Sequence, residues 1–307
     1  MFEAIFFNPY LIFIFGGIFL YFGSELLIDN SIIIAKRFNL SKIFIGSTIV
    51  ALGTSLPEIV VSIIANINGN VSIAIGNIVG SNIANISLVL GVLLLFRNID
   101  IGKDNKVIFH LSFLSVLTIL LYFFLRNGFI SIYFGLILIC LFIIYVTISI
   151  NVFDDNEPEE DNIVSEFPIF KVILGMILIY FGSILFIDGA IGISLILGVS
   201  DLIIGMTVVA LGTSAPELIV SINSLLKNQI DISIGNIIGS NIANIVFAIG
   251  LSSIIKGMYF NFNDLAFYNN YMILVTFLLV ISLLLFRKLN KNFGLLSISI
   301  YFVFIYL

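Results

Sequence analysis

The 307-residue sequence predicts an all-α integral membrane protein, with ten transmembrane helices arranged as two inverted five-helix repeats. Three observations predict this fold: the apolar composition, the distribution of Lys and Arg, and an internal repeat. Hydrophobic residues make up 60% of the chain and charged residues 10%, and the mean hydropathy is +1.22. These values lie outside the range of soluble globular domains. The composition therefore indicates a membrane protein and argues against a soluble enzyme.

The apolar runs supply ten candidate spans, since a helix needs about 20 apolar residues to cross a bilayer. They cover residues 9–35, 42–66, 71–96, 107–125, 128–150, 169–192, 201–226, 231–255, 268–286 and 293–307. The runs are continuous rather than alternating, which favours helices over a barrel. No pattern of a cleaved signal peptide precedes them, so we expect the first segment to remain as a helix.

The basic residues orient these helices, because Lys and Arg collect in cytoplasmic loops. With the N-terminus outside, eleven of the 13 basic residues fall on the cytoplasmic side and two, Arg126 and Lys256, fall outside. The eleven are Lys36, Arg37, Lys42, Arg97, Lys103, Lys106, Lys171, Lys227, Arg287, Lys288 and Lys291. This bias predicts a multi-pass protein of the cell membrane, with the lipid bilayer as its surroundings and both termini extracytoplasmic.

The chain also repeats itself at a constant offset of 159 residues. ALGTSLPE at 51–58 returns as ALGTSAPE at 210–217, and GNIVGSNIANI at 76–86 returns as GNIIGSNIANI at 235–245. If each repeat has five helices, an odd number, the second copy enters the membrane in the opposite sense. Inverted repeats are typical of secondary transporters, which bind their substrates near the midplane between the repeats.

We divide the chain into an N-terminal repeat at 1–150, an acidic cytoplasmic connector at 151–168 and a C-terminal repeat at 169–307. Seven of the 18 acidic residues lie in the connector, which leaves 11 acids against 13 basic residues elsewhere. The acidic run is interpreted as a solvated linker, with attraction of cations as the alternative. No basic stripe indicates a nucleic-acid partner.

The motif GTSLPE carries the first chemical signal. Pro57 lacks an amide hydrogen and its ring clashes with the carbonyl of Gly53, so the helix is expected to break and release carbonyls. Thr54 and Ser55 lie four and three residues before Glu58, which places two hydroxyls and a carboxylate on one face. Such oxygens suit hard cations, and an acid at membrane depth indicates a functional site.

The second copy repeats this pattern with Thr213, Ser214, Pro216 and Glu217. Two unpaired carboxylates at the centre would repel one another, and neither helix core contains a Lys or Arg to neutralise them. We therefore expect the positive charge to come from a transported cation. Neither the single histidine nor the single cysteine suggests a nucleophile or a metal cluster, so we predict no enzymatic activity and no cofactor.

The third and eighth helices add a second pair of motifs. Ser81 and Asn85 share one helical face, as do Ser240 and Asn244, and both pairs supply oxygen ligands. Each motif also carries two glycines at a spacing that lets helices approach closely: Gly76 with Gly80, and Gly235 with Gly239.

The paired motifs GTSLPE with GSNIAN and GTSAPE with GSNIAN resemble the two alpha repeats of the sodium/calcium exchanger family, in the calcium/cation antiporter superfamily. The match would place the first alpha repeat at about 41–96 and the second at about 200–255. The resemblance implies ten helices, a cation cluster, and long first and sixth helices that slide against the others. By matching position it implies a set of cation ligands: Ala51, Thr54, Ser55, Glu58, Ser81, Asn85, Ala210, Thr213, Ser214, Glu217, Ser240 and Asn244.

One position departs from the family pattern. Exchangers of this family commonly carry Asp where this chain has Asn244, so one formal charge is missing and the coupling ion is less specified. We expect an antiporter that exchanges Ca²⁺ against Na⁺ by alternating access. Exchange of Ca²⁺ or another cation against H⁺ is the alternative, and a cation channel or a non-transporting membrane scaffold is a more distant one.

Five polar residues outside the motifs are interpreted more simply. Glu25 is expected to be interfacial or helix-stabilising, and the paired Asp29 and Asp188 either line the entrances or cap helices. His110 is expected at the membrane interface, and Cys140 is expected to be a buried apolar filler. The sequence does not indicate an oligomeric state.

Overall fold

The computed structural model describes residues 8–100, 105–152, 167–198 and 210–306. It is helical throughout, apart from two pairs of very short strands. The helices in chain order are α1 Pro9–Arg37, α2 Lys42–Ile45, α3 Ala51–Thr54, α4 Leu56–Ile67, α5 Val71–Ala84, α6 Leu90–Phe96, α7 Asn105–Leu125, α8 Ile132–Val152, α9 Pro168–Ile196, α10 Ala210–Thr213, α11 Ala215–Leu226, α12 Ile230–Ala243, α13 Gly250–Ile255, α14 Phe262–Phe286 and α15 Lys291–Tyr306.

Among the described residues, turns of π-helix interrupt three of the spans. They lie at Gly46–Val50 between α2 and α3, at Asn85–Val89 between α5 and α6, and at Asn244–Ile249 between α12 and α13. A π-turn inserts a wider loop of backbone into an α-helix and is frequent at functional sites. Two of the three begin at an asparagine that the sequence singled out as a ligand.

Within the described residues, seven helices are long and apolar enough to cross a membrane, or eight if the bent pair Lys42–Thr54 and Leu56–Ile67 forms one span. Two shorter apolar helices, Ala215–Leu226 and Lys291–Tyr306, lie where spans are also predicted. Most helix ends lie within a few residues of the predicted ends, but the helix predicted at 268–286 begins at Phe262. The full count of ten stays a prediction. Most of the acidic connector, residues 153–166, lies outside the described residues, as do residues 199–209 of the seventh predicted span.

The expected break in the second span is confirmed. The helix ends at Thr54, restarts at Leu56 and bends by 52° between them. Pro57 occupies the first turn of the new helix, where its missing amide hydrogen is not needed and its fixed φ favours helix formation. The proline therefore begins a helix whose N-terminus lies within the second predicted span.

Two spans form the centre of the bundle. In Val71–Phe96 and Ile230–Ile255, 78% and 83% of the membrane window is buried, against 28% for Pro168–Ile196. These two central spans carry the GSNIAN motifs, so the motif residues lie deep in the protein rather than against lipid.

The two halves meet at both ends of the bundle through antiparallel strand pairs. Ile99–Asp100 pairs with Lys288–Leu289, and Phe129–Ile130 pairs with Met258–Tyr259. Each pair joins one loop of the first half to one loop of the second. The sequence did not predict these strands, because two residues are too few to show an alternating pattern.

Helices α1 and α9 cross in close contact, and glycines make the approach possible. A Cβ atom at Gly23 would lie 2.9 Å from the carbonyl oxygen of Gly175, and a Cβ at Gly175 would lie 2.9 Å from that of Gly23. Small residues at a crossing let two helix backbones touch. The two long helices that the family resemblance singles out are therefore packed directly against each other.

Candidate cation site

The two buried acids lie at the N-termini of two helices. Glu58 lies in the first turn of α4 and Glu217 in the first turn of α11. Each helix begins after a serine with nearly the same backbone angles, φ −86° and ψ 3° at Ser55, and φ −89° and ψ 4° at Ser214. The N-terminal end of a helix carries a partial positive charge that favours a nearby carboxylate. The repeated GTS(L/A)PE motif thus builds the same local structure twice.

Both acids are withdrawn from solvent. Glu58 is 1% exposed and Glu217 is 0% exposed, and the two carboxylates lie close enough for their charges to repel. Among the described residues, neither oxygen of Glu58 and only one oxygen of Glu217 has a hydrogen-bond partner. Buried carboxylate oxygens without partners are costly. A cation bound between the two acids would supply the missing interactions.

Hydroxyl groups of the first repeat lie against side chains of the second. Ser55 Oγ donates to Glu217 Oε1 at 3.1 Å. Thr54 Oγ1 lies 3.1 Å from Ser240 Oγ, from Asn236 Oδ1 and from the carbonyl oxygen of Ala51. The contacts with Asn236, Ser240 and Glu217 span more than 160 residues of sequence and gather oxygen atoms from both repeats at one place.

The two repeated asparagines open π-turns and are fully buried. Neither amide atom of Asn85 has a hydrogen-bond partner among the described residues, nor does Oδ1 of Asn244. Asn244 Nδ2 donates to Asn82 Oδ1 at 3.0 Å. Unpaired amide oxygens in a buried, oxygen-rich region are suited to a hard cation.

Direct contacts between the two repeats join four of the ligands named from the sequence: Thr54, Ser55, Glu217 and Ser240. Ser81 is buried, and Ser214 is buried with its hydroxyl unpaired among the described residues. Thr213 ends the short helix that Ala210 begins. A cavity of about 400 Å³ between α9 and α11 is lined in part by Ser214.

Four further polar residues support the acids and were missed in the sequence. Asn77 Nδ2 donates to the Glu58 carbonyl at 3.3 Å and to Ser62 Oγ at 3.0 Å. In the second repeat, Asn236 Nδ2 donates to the Glu217 carbonyl at 3.4 Å and to Ser221 Oγ at 2.9 Å. The four residues form two pairs related by the offset of 159, Ser62 with Ser221 and Asn77 with Asn236. This repetition of polar residues is the sequence signal that could have identified them.

The predicted close approach at the motif glycines is confirmed in the second repeat. A Cβ at Gly235 would lie 2.5 Å from the Ile43 carbonyl oxygen, and a Cβ at Gly239 would lie 2.4 Å from the Cα of Ser47. No described atom lies within 4 Å of a Cβ built at Gly76 or Gly80. The repeat-related segment that would face this pair, 202–206, lies outside the described residues, so that packing stays a prediction.

Two expectations were wrong. His110 is not interfacial but 0% exposed, with Nδ1 2.7 Å from the Tyr145 hydroxyl, which in turn lies 2.8 Å from Ser47 Oγ. A buried hydrogen-bond partner on another helix, invisible in the local sequence, draws the histidine inward. Cys140 is exposed on the surface of α8 rather than buried, since that helix is apolar on every face and its pattern does not show which face packs.

The acids on the long helices behave differently from one another. Lys227 Nζ lies 2.6 Å from Asp29 Oδ1 and 3.3 Å from Glu25 Oε1, which joins α1 to the end of α11. This agrees with a helix-stabilising role for Glu25. Asp188, the repeat counterpart of Asp29, is exposed.

Together the fold and the site define a class of protein: a polytopic helical membrane protein in which two broken helices bring buried oxygen atoms of both repeats to one place. The family model described as "Sodium/calcium exchanger protein" matches residues 8–151 and 167–307. The chain therefore belongs to the sodium/calcium exchanger family.

Similar proteins extend over most of the chain. The uncharacterized membrane protein MJ0091 of Methanocaldococcus jannaschii is 38% identical over 249 residues, 79% of this chain and 80% of that protein. The sodium/calcium exchanger MaX1 of Methanosarcina acetivorans is 30% identical over 320 residues, 89% of this chain and 90% of that protein. A solved structure of the sodium-calcium exchanger NCX_Mj soaked with Na⁺ superposes with a TM-score of 0.81 and 33% identity, covering 97% of this chain and 98% of that one.

Proposed function

We propose that this protein is a secondary antiporter that exchanges Ca²⁺ against Na⁺ at a site near the membrane midplane. The observation that carries the proposal is the pair of buried acids, Glu58 and Glu217, which stand at two facing helix breaks with three of their four carboxylate oxygens unpaired among the described residues. The relatives of known function are exchangers of Na⁺ and Ca²⁺ by name, which supports transport rather than enzymatic catalysis.

Exchange follows if the two ions compete for the same oxygens. The acids, the hydroxyls and the asparagine oxygens are all hard ligands that suit both Ca²⁺ and Na⁺. An empty site leaves two carboxylates uncompensated, which costs at least a few kcal/mol within a membrane. The empty carrier therefore changes conformation poorly, and one ion must replace the other before the site is exposed to the opposite side.

The proposed ligand set is the one named from the sequence. The side chains of Glu58 and Glu217 supply the charge, and Thr54, Ser55, Ser81, Asn85, Ser214, Ser240 and Asn244 supply neutral oxygens. Ala51, Ala210 and Thr213 supply carbonyl oxygens near the helix breaks. The shared contacts of Thr54 with Ser240 and of Ser55 with Glu217 support ligands that come from both repeats.

The proposed architecture is ten spans in two inverted repeats. The strand pairs support it, because they bring the loop after Arg97 beside the loop at Lys288, and the loop after Arg126 beside the loop at Lys256. The first pair of loops is basic and would face the cytoplasm, whereas the second contains the only two basic residues assigned to the outside. This arrangement of loops supports our proposal that the protein lies in the cell membrane with both termini extracytoplasmic.

Alternating access would use α1 and α9 as the moving helices. Glycines at their crossing let the two backbones touch, so the two helices can move as one unit against the others. The ion pairs of Lys227 with Asp29 and Glu25 hold α1 to the bundle at one end. Movement of α1 along the bundle would break these contacts.

One observation favours a second function. Asn244 stands where exchangers of this family commonly carry an acid, so the site contains two carboxylates and one fewer negative charge. Exchange of Ca²⁺ against H⁺ requires fewer monovalent-ion ligands and fits this reduced charge.

A flux assay in reconstituted vesicles separates the two functions. Ca²⁺ uptake is measured with an outward Na⁺ gradient at equal pH on both sides, and then with a pH gradient in the absence of Na⁺. We expect uptake to follow the Na⁺ gradient and to stop when the gradient is collapsed. Uptake driven by the pH gradient alone and indifferent to Na⁺ would replace the sodium assignment with the proton one.

A further inference from the structure

Asn82 lies beside the site without belonging to the ligand set. It is 1% exposed, and both ends of its amide are engaged: Nδ2 donates to the carbonyl oxygen of Asn241 at 3.4 Å, and Oδ1 accepts from Asn244 Nδ2 at 3.0 Å. Asn82 Nδ2 also lies 3.8 Å from the sulfur of Met272. A buried amide with two partners of opposite type has one favourable orientation.

The hydrogen bond from Asn82 to the Asn241 carbonyl fixes the orientation of both the Asn82 and the Asn244 amides. A backbone carbonyl can only accept, so Asn241 requires Asn82 to present its NH₂ group there and its oxygen toward Asn244. Asn244 must then present its own NH₂ group to Asn82. The oxygen of Asn244 remains free, buried and unpaired among the described residues, in the orientation that a cation ligand needs.

The repeat counterpart of this arrangement is not formed. Asn241, the counterpart of Asn82, donates to the carbonyl of Ile237 in its own helix at 2.7 Å. Asn85, the counterpart of Asn244, has no hydrogen-bond partner for either amide atom among the described residues. Asn85 and Asn244 occupy the same position of the repeated GSNIAN motif, but among the described residues only Asn244 is held by a neighbouring side chain.

We infer that Asn82 is a positioning residue that fixes Asn244 as a neutral carbonyl-type ligand for the transported cation, while Asn85 is left free to rotate. The same contact makes Asn82 a specificity determinant. Its oxygen faces position 244 and would repel a carboxylate there, so the site is adapted to two acids rather than three. This inference rests on the proposed function, because it requires Asn244 to bind the cation.

The test is a double-mutant cycle on Ca²⁺ binding, measured by calorimetry on the purified full-length protein. Asn82→Leu keeps the approximate size of the side chain but leaves the Asn244 amide unheld. We expect a loss of affinity of about fivefold to tenfold, the effect of one buried hydrogen bond. In an Asn244→Ala background the same change should have no further effect, since there is no amide left to orient.

Asn241→Leu, the repeat counterpart, is the matched control. Its side chain bonds only its own helix, so any effect on Ca²⁺ affinity should be the same with and without Asn244→Ala. A purely structural role for Asn82 would give equal losses in both backgrounds and would overturn the inference. If Asn82→Leu does not yield a monodisperse protein, Asn82→Ser removes the same contact with a smaller side chain.

The cycle also distinguishes this inference from the proposed function. A loss of affinity in Asn244→Ala together with normal affinity in Asn82→Leu would refute the positioning role and leave Asn244 as a ligand. Normal affinity in Asn244→Ala would remove Asn244 from the ligand set, and the positioning role with it. In that case, loss of Ca²⁺ binding in Glu58→Gln would still support the carboxylate site.

Discussion

Ser55 Oγ donates a hydrogen bond to Glu217 Oε1 at 3.1 Å, and no equivalent bond joins the repeat-related pair, Ser214 and Glu58. The two repeats carry the same residues at these positions, so the difference lies in the conformation and not in the chemistry. One acid of the site is supported by the other repeat and the other acid is not. The two carboxylates are therefore inequivalent before any cation binds.

Ser55→Ala should destabilise the cation-free protein more than Ser214→Ala. The first change leaves a buried carboxylate oxygen without its donor, which costs about 1 to 3 kcal/mol. The second removes a hydroxyl that has no hydrogen bond among the described residues. Thermal unfolding in the presence of a chelator measures the difference in stability. Equal losses of stability in the two variants would contradict the inequivalence of the two carboxylates.

Glu58→Gln and Glu217→Gln should each weaken Ca²⁺ binding by tenfold or more, about 1.4 kcal/mol at least. Each change removes one of two negative charges from a site that no described basic side chain neutralises. Calorimetric titration with Ca²⁺ measures the loss, with the exposed Asp264→Asn as the matched control for removal of an acid. Unchanged binding in both glutamate variants is the result expected of a scaffold, and it would contradict the proposed site.

Asn244→Asp and Asn85→Asp both add a third acid to the site, but we expect them to differ in stability. A carboxylate at 244 would face the oxygen of Asn82, whereas one at 85 would not. Without cations, the free energy of unfolding of Asn244→Asp should therefore be lower than that of Asn85→Asp by about 1 to 3 kcal/mol. Asn244→Asp should accordingly unfold at the lower temperature.

Saturating Na⁺ should raise the unfolding temperature of both aspartate variants more than that of the original protein, since each has gained a negative ligand. Flux measurements on the same variants test the consequence for coupling. We expect Asn244→Asp to strengthen the dependence of Ca²⁺ uptake on Na⁺. An unchanged Na⁺ dependence would show that position 244 does not bind the coupling ion.

Lys227→Gln should alter the exchange rate with little effect on stability. The ion pairs with Asp29 and Glu25 involve side chains that are 26% to 54% exposed, and exposed pairs contribute only about 0 to 1 kcal/mol. They nevertheless connect α1 to the bundle, as does the 2.8 Å hydrogen bond from Asn223 to Ser24. Stopped-flow Ca²⁺ uptake measures the rate, with Lys256→Gln at the other end of the bundle as the control.

The charge state of Lys227 determines the pH range over which Lys227→Gln can be compared with the original protein. Burial lowers the pKa of Lys227, but the hydrogen bonds and charges of Asp29 and Glu25 outweigh burial and raise the pKa above its usual value of 10.5. The contribution of the lysine is therefore complete below pH 10.5 and is lost only as the pH rises through the higher folded value. At neutral pH the effect of the substitution should be constant, and it should weaken in high salt.

Gly23→Ala and Gly17→Ala should have opposite effects. A Cβ at Gly23 would lie 2.9 Å from the Gly175 carbonyl, so α1 and α9 must separate, at a cost of about 1 to 3 kcal/mol. No described atom lies within 4 Å of a Cβ at Gly17, and alanine there should stabilise the helix by up to about 1 kcal/mol. Thermal unfolding gives the sign for each variant, and Ca²⁺ flux shows whether the separated helices still move.

The sequence predicted the features that depend on local chemistry. A proline within an apolar run is expected to interrupt the helix, and the chain bends by 52° just before Pro57. The constant offset of 159 residues between the repeats relates Glu58 to Glu217, so recognising one acid identified the other. Most helix ends were predicted to within a few residues, because apolar runs and basic flanks mark them directly. The start at Phe262 was missed, because Asn263 and Asp264 interrupt the apolar run there.

Features that depend on a partner from another helix were not predicted. His110 is buried because Tyr145 and Ser47 complete a hydrogen-bonded chain, and nothing near His110 in the sequence indicates this. The π-turns have no residue signature of their own. Asn82 and Asn241 have the same neighbours in sequence, yet their side chains bond in different directions because the packing around them differs.

The π-turns at Asn85–Val89 and Asn244–Ile249 occupy the same place in each half of the chain. A π-turn contains one residue more than the α-helical turn it replaces, so it is the structural trace of a single-residue insertion. An insertion found at the same position in both halves is most simply assigned to the ancestral half-protein, before it was duplicated and joined to itself. On that reading, the opening of the helix at this asparagine is older than the two-repeat chain.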